Sequence, residues 1–345
     1  MTAIAQSTRL SRLSLSEWQD YVESRPQSMI FHHRAWIELL IEQYHFPLYV
    51  LAVKEGGRIT AAAPWLETRK PWGSRKLMSL PFTDCMRVLA EDDRALAHFH
   101  EGLHGEPFDG YRSVVLRTDR PLGEQPSTSN WVRHEVSTDR PFDEIVSDYS
   151  SNVRRNLRKA ERSGLRFERR TDADAIRTFY RLHLMTRRKH GVPIQPKRFF
   201  ARLHDRLVQP GLGFVGVVSK DGQAIAASVF LVYNGTMIYK YGASDARALA
   251  YRPNEFMFSN AIRMATEQGC VRLDFGRSNK RDEGLCRFKR KWGTTENEVY
   301  HEHILGQPSM SGGDSLPRKL GALAIRRSPT VVCRVLGEML YKYSQ

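Results

Sequence analysis

The stretch from Gly213 to Gly242 constrains the fold more than any other part of the chain. Residues 213–218 and 224–233 are apolar runs separated by Asp221-Gly222, and Asn234-Gly235 then leads into residues 236–242. Each dipeptide is a two-residue hairpin turn, so the three runs must be antiparallel neighbours. A parallel pair would need a crossover of a dozen residues or more. Pro253 suits the first turn of a following helix and Gly269 its end; Val271-Arg272-Leu273-Asp274-Phe275 then alternates strictly, and residues 296–304 read as a further strand. The pattern predicts an α+β fold with mixed, largely antiparallel sheets. It excludes a doubly wound, parallel nucleotide-binding sheet.

The first third is also mixed. Residues 36–44 and 91–103 read as helices, residues 47–53 and 59–66 as a hairpin about Gly56-Gly57, and residues 111–116 as a strand. Residues 119–129 are rich in Pro, Ser and Gly without an apolar period, and serve as the expected linker. This divides the chain into an N-terminal domain at 1–135, a second domain at 136–310 and a basic tail at 311–345. The second domain opens with one predicted helix carrying Val146, Tyr149, Val153, Leu157 and Ala160 on one stripe and ending at Gly164. Thr171 is the expected cap of the next helix, with Ile176, Phe179, Leu182 and Thr186 on its buried side.

Lys and Arg number 53 against 38 Asp and Glu, a formal charge of +15. The excess is concentrated. Arg154, Arg158 and Arg162 recur at i,i+4 on the polar side of the first helix, an arrangement costing about 0.2–0.5 kcal/mol per pair. A surface that carries this cost points to an anion: nucleic acid, an acidic membrane or a phosphorylated substrate. A second cluster spans 277–291 and a third lies in the tail, where Val332, Leu336, Met339 and Tyr343 also recur at helical spacing. That tail suits either an interfacial helix on an anionic membrane or a helix packed on the domain. No apolar run reaches the length of a membrane span, and residues 1–20 lack a secretory apolar core, so a cytoplasmic location is expected, with peripheral contact at the inner face of the membrane. The four cysteines are far apart and are expected to be reduced thiols. His301 and His303 share a strand face but lack a third ligand, so no metal is expected.

Several segments, taken in order, resemble one family. Tyr239-Lys240-Tyr241-Gly242-Ala243, the helix opened by Pro253, Asp274-Phe275-Gly276-Arg277-Ser278, and Phe288-Lys289-Arg290-Lys291-Trp292-Gly293 together look like the C-terminal half of FemAB-like proteins of the GNAT acyltransferase superfamily. The basic helix at 149–160 is similar to the one that opens that half. Ser79-Leu80-Pro81-Phe82-Thr83-Asp84 resembles a motif of the first half, with Cys85 and Met86 where glycines usually follow. The resemblance covers most of residues 30–305. It implies tandem GNAT-like domains and transfer of an acyl or aminoacyl group to an amine; bacterial relatives accompany exopolysaccharide and exosortase systems. No heptad pattern marks the long helical arm that some members carry.

Acyl transfer to an amine needs a held donor, a deprotonated amine and a stabilised oxyanion. No Ser-His-Asp or Cys-His spacing is present, so direct attack in a ternary complex is expected. The resemblance puts Phe288 and Lys289 near the reacting ends, with Lys289 as a cation for an oxyanion or a phosphate. Asp274 is a candidate proton acceptor or a salt-bridge partner that orients Arg277. Arg252 and Asn254, at a helix start, are candidate donor-phosphate contacts, as are Arg287 and Arg290. Arg154, Arg158, Tyr241 and Arg277 are candidates for the acceptor or an anion. Trp292 reads as core.

The expected activity is transfer from a thioester such as acyl-CoA to an amine on an envelope polysaccharide or peptidoglycan precursor. One alternative is an aminoacyl-tRNA-dependent transferase of the interpeptide-bridge type; another is a non-catalytic adaptor for polyanions or membranes. No permanently bound cofactor is expected, only acyl-CoA or aminoacyl-tRNA as co-substrate. The expected partner is a phosphorylated or lipid-linked acceptor, with the protein itself a monomer.

Overall fold

A computed structural model describes residues 9–70, 73–122, 129–306, 323 and 325–343. Most of the predicted linker and the start of the predicted tail lie outside the described residues. The chain divides into two compact units: residues 1–132 with 298–309, and residues 133–297 with 310–344.

The first unit contains β1 (Ser11–Leu13), α1 (Leu15–Glu23), α2 (Arg34–Tyr44), β2 (Leu48–Glu55), β3 (Arg58–Arg69), β4 (Arg75–Met78), β5 (Leu89–Ala90), α3 (Asp93–Gly105) and β6 (Tyr111–Thr118). Its strands run in the order β1-β2-β3-β4-β6, with β5 on β3. The later strand β13 (Thr295–Leu305) pairs antiparallel with β6 from Tyr300 onward. β4 and β6 are parallel. β3 is buried at nearly every position, as a strand covered on both faces must be. Phe99 of α3 sits in a core with Leu51, Val53, Trp65, Val114 and Leu116. Glu67 is buried among cations: Arg75 and Arg69 each approach to 2.7 Å, and the Tyr111 hydroxyl donates at 2.8 Å.

The second unit contains β7 (Trp131–Ser137), α4 (Phe142–Ser147), α5 (Ser151–Arg162), β8 (Arg166–Arg170), α6 (Ala173–His190), α7 (Lys197–Leu203), β9 (Gly213–Lys220), β10 (Gln223–Tyr233), β11 (Thr236–Ser244), α8 (Pro253–Glu267), β12 (Arg272–Asn279), α9 (Glu283–Arg290) and α10 (Thr330–Leu340). Its strand order is β7-β12-β11-β10-β9-β8. The predicted meander forms as read. Asp221, Gly222, Asn234 and Gly235 all have positive φ, the backbone that two-residue hairpin turns require.

Three local expectations are corrected. The stripe from Val146 to Ala160 is divided between α4 and α5, because Ser150 stops the first helix and caps the second, accepting from Val153 N while its own N–H donates to Lys291 O at 2.9 Å. The cap of α6 is Asp172, not Thr171; its carboxylate accepts from Ala175 N. In the tail, Val332 is exposed and, among the described side chains of α10, Cys333 and Gly337 are buried; the side chain of Met339 lies outside the described set. A Cβ on Gly337 would lie 2.1 Å from Ile194 O, so the close approach selects small residues and rotates the packed face away from the valines.

Candidate active site

β11 and β12 run parallel, but their registered pairs end after Thr236↔Arg272, Met237↔Leu273 and Ile238↔Asp274. β11 continues to Ser244 and β12 to Asn279, so the two strands splay beyond Ile238. Two local features accompany the splay. Lys240 is an extra residue against β10, where Val229 faces Tyr241 and Phe230 faces Tyr239. On β12, Gly276 has φ +72°, and a Cβ there would meet Tyr239 O at 3.2 Å. Glycine supplies this left-handed backbone without a steric penalty.

Two buried ionisable groups grip that glycine. Gly276 N–H donates to Asp274 Oδ1 at 2.7 Å, and Lys289 Nζ donates to Gly276 O at 2.7 Å. Asp274 is 1% exposed and Lys289 4%. Asp274 Oδ2 also lies 3.4 Å from Arg133 Nε, and Arg133 in turn pairs with Glu135. Buried charges need a partner or a hydrogen bond: Asp274 has Arg133 and Gly276 N–H, and Lys289 has the Gly276 carbonyl. His134, on the same strand as Arg133, is buried with Nε2 2.8 Å from Glu296 Oε1. Burial, with Lys289 beside the ring, holds its pKa below the usual imidazole value.

Phe288, Trp292 and Gly293 of the Phe-Lys to Trp-Gly segment are packing residues. Trp292 is fully buried and meets Tyr149 edge-on at 4.9 Å. Phe288 is half-buried against Phe258 and Trp292, so its ring anchors α9; it carries no group that exchanges a proton or binds an anion. Gly293, at φ +70°, leaves room for Asp148, whose Cβ would lie 2.7 Å from an added side chain. Lys289 thus enters the interior from a helix fixed at its end by Trp292 and Gly293.

α8 begins shortly after the splayed end of β11. Arg252 has φ +64° and precedes Pro253 at the first helical position. No side chain caps this end, so the first-turn N–H groups of Asn254 and Glu255 face outward without a helical acceptor. Arg252 Nε is buried without a hydrogen-bond partner.

Six of the expected site residues fall into two groups. Asp274, Arg277, Lys289 and Tyr241 lie at the splay, and Arg252 and Asn254 at the helix that follows it. Asp274 is buried, since both faces of β12 are covered, and its carboxylate engages Arg133 and Gly276 N–H. Tyr241 packs in an aromatic group with Phe179, His183, Phe199 and Phe200, its ring 5.4 Å from that of Phe200. Arg154, Arg158, Arg287 and Arg290 are surface residues. Arg154 donates to Ser147 O, Arg290 to Glu296, and Arg287 lies 3.8 Å from Glu283. Arg133, His134 and Glu135 were not anticipated, because β7 has no alternation strong enough to mark it in the sequence. Among the described residues, no group of three or more His, Cys, Asp and Glu side chains is placed to hold a metal ion, and no helix is long and apolar enough to cross a membrane.

Residues 147–290 match the acetyltransferase (GNAT) domain family. Lipid II:glycine glycyltransferase of Staphylococcus aureus is 29% identical over 96 residues, a stretch that is 26% of this chain and 23% of that protein. The fold is similar to the crystal structure of FemX, with a TM-score of 0.68 and 15% identity over 86% of this chain and 97% of that one. It is also similar to the C-terminal domain of a putative lysylphosphatidylglycerol synthetase from Agrobacterium fabrum, with a TM-score of 0.58 and 13% identity over 90% and 96% of the two chains. The fold is of the tandem GNAT-like α+β kind, with the acetyltransferase (GNAT) domain match falling in the second unit. The matched stretch spans about a quarter of the glycyltransferase's length, and the likeness to FemX is one of fold.

Proposed function

We propose that the protein transfers an aminoacyl group from aminoacyl-tRNA to an amine on a lipid- or nucleotide-linked peptidoglycan precursor. This reverses the preference drawn from sequence, which put a thioester donor first. The single observation that supports it is the likeness to FemX and to the glycyltransferase. The exposed cations of α5 and β8 support a polyanionic donor: Arg154, Arg155, Arg158, Lys159, Arg162, Arg166 and Arg169 all face solvent.

In this reading the neutral acceptor nitrogen attacks the ester carbonyl of the charged tRNA. A C–N bond forms, the C–O ester bond breaks, and the amine proton ends on the released ribose oxygen. The free edges of β11 and β12 offer peptide groups to the donor's acyl end, and Arg277 lies on β12 within that opening. Lys289 fixes Gly276 and so the edge of β12, and its charge lies beneath the reacting carbonyl. The N-terminus of α8, with Arg252 and Asn254, takes a phosphate.

The test is transfer of a radiolabelled amino acid from charged tRNA to a muramyl-peptide nucleotide, with acetyl-CoA as the competing donor. Product from charged tRNA alone is expected, with binding that weakens steeply with salt and falls further in Arg154→Glu/Arg158→Glu. Product from acetyl-CoA alone would restore the thioester reading, which the acetyltransferase match and the open N-terminus of α8 favour.

A further inference from the structure

α10 presents two unlike faces. Cys333 and Gly337 are buried, and α10 packs against α6. The opposite side carries Val331 (58% exposed), Val332 (40%) and Val335 (45%), within one helical turn of each other. About half of each of these apolar side chains stays open to water.

The surroundings of the valines are cationic. Arg334 is exposed on the helix itself, and Arg326, Arg327 and Lys342 are exposed at its two ends. Lys189, in the last turn of α6, is exposed as well. Arg326 reaches this turn: burial, Lys189, Arg187 and Arg326 together hold the His190 pKa below its usual value. Glu338 is the exposed acid on α10.

We propose that the outer face of α10 docks on an anionic lipid bilayer, with the valines in the headgroup boundary and the arginines among the phosphates. A helix fixed along its opposite side and apolar outward lies flat in an interface and does not cross it. Charge selects this occupant over a second copy of the chain. Two copies meeting through the valines would bring Arg326, Arg327 and Arg334 against cations of the same sign, whereas acidic headgroups neutralise them. The proposal deepens the reading of a lipid-linked acceptor by naming the surface where that acceptor resides. It rests on that reading for its purpose alone, since adsorption needs no transfer reaction.

The experiment is co-sedimentation of the full chain with vesicles of phosphatidylcholine alone and of phosphatidylcholine with phosphatidylglycerol, run beside size-exclusion chromatography. Binding is expected only to the mixed vesicles. It should weaken about fivefold for each of Arg326→Glu, Arg327→Glu and Arg334→Glu, and be lost in Val331→Asp/Val335→Asp. Because these valines are exposed, the double variant should unfold at the wild-type temperature, which separates lost docking from lost folding. Three results overturn the proposal: no binding to the mixed vesicles, undiminished binding by the double-aspartate variant, or a dimer that this variant dissolves. Any of them leaves transfer to a soluble nucleotide-linked acceptor untouched, so the two readings fail separately.

Discussion

Asp274 and Lys289 hold opposite ends of one residue: the carboxylate accepts the N–H of Gly276 and the ammonium donates to its carbonyl. The clamp sits where β12 leaves its pairing with β11, so two buried charges define the edge of the opening. Lys289 therefore positions backbone before it does anything else. A buried lysine used this way is held in one place, which a role in electrostatic stabilisation would also require.

Replacing Lys289 with Met should lower stability by about 1–3 kcal/mol, because a buried carbonyl loses its donor. Transfer activity should fall by more than the unfolded fraction accounts for. Denaturant titration beside initial rates measures both; full activity at unchanged stability would refute the clamp.

Asp274→Ala removes the acceptor of Gly276 N–H and a partner of Arg133 at once. Breaking a buried pair from one side costs about 3–5 kcal/mol, and the Glu135 contact should keep the loss near the lower figure. A urea midpoint shift smaller than that of an exposed surface variant would show the pair to be idle.

Gly276→Ala places a Cβ on a left-handed backbone beside Tyr239 O. The expected cost is about 1–2 kcal/mol from the backbone alone. β12 should shift at the splay, and donor affinity should fall more than stability. Equal KM in the variant and the wild type would separate the glycine from the site.

Gly337→Ala should free α10, since its methyl would overlap Ile194 O. Limited proteolysis should then cut within residues 325–343 while the remaining core stays intact. Cleavage at the wild-type rate would mean that the helix does not depend on this contact.

Acid should unfold the protein in stages. Burial lowers the His32 pKa to about 4 and, with Arg187 nearby, that of His183 to about 3. Both are depressed in the folded state, so their protons bind first to the unfolded chain. Stability is intact above pH about 6.5 and declines as pH falls toward 4, by roughly 2.7 kcal/mol per unit for two such groups. Burial alone would raise the Glu67 carboxyl, but Arg75, Arg69 and Tyr111 outweigh it and hold it at about 2. Its stabilisation is present above pH about 4.5 and is lost below that. A thermal midpoint that stays level from pH 7 to 4 would contradict these assignments.

Strand and turn order was legible because each hairpin is set by a dipeptide and by an alternation inside a short window. Asp221-Gly222 and Asn234-Gly235 fixed the meander, and Pro253 and Gly269 bounded α8. Trp292 was legible as core from its size. The basic ridge of α5 was legible because charges that face water need no partner to declare their side. The ion network was not. Arg133 lies far from Asp274 and Lys289 in sequence, and no local pattern links them.

By itself, then, the sequence determined the antiparallel meander, the helix that follows it and the exposed basic ridge of α5, all of which depend on contacts within a few residues. Only the tertiary structure decided that β11 and β12 part after Ile238, that Asp274 turns to Arg133, and that α10 buries Cys333 and Gly337 and leaves its valines outside. These features depend on which distant groups meet in a low-dielectric interior, where an unpaired charge or carbonyl costs more than any local preference can supply.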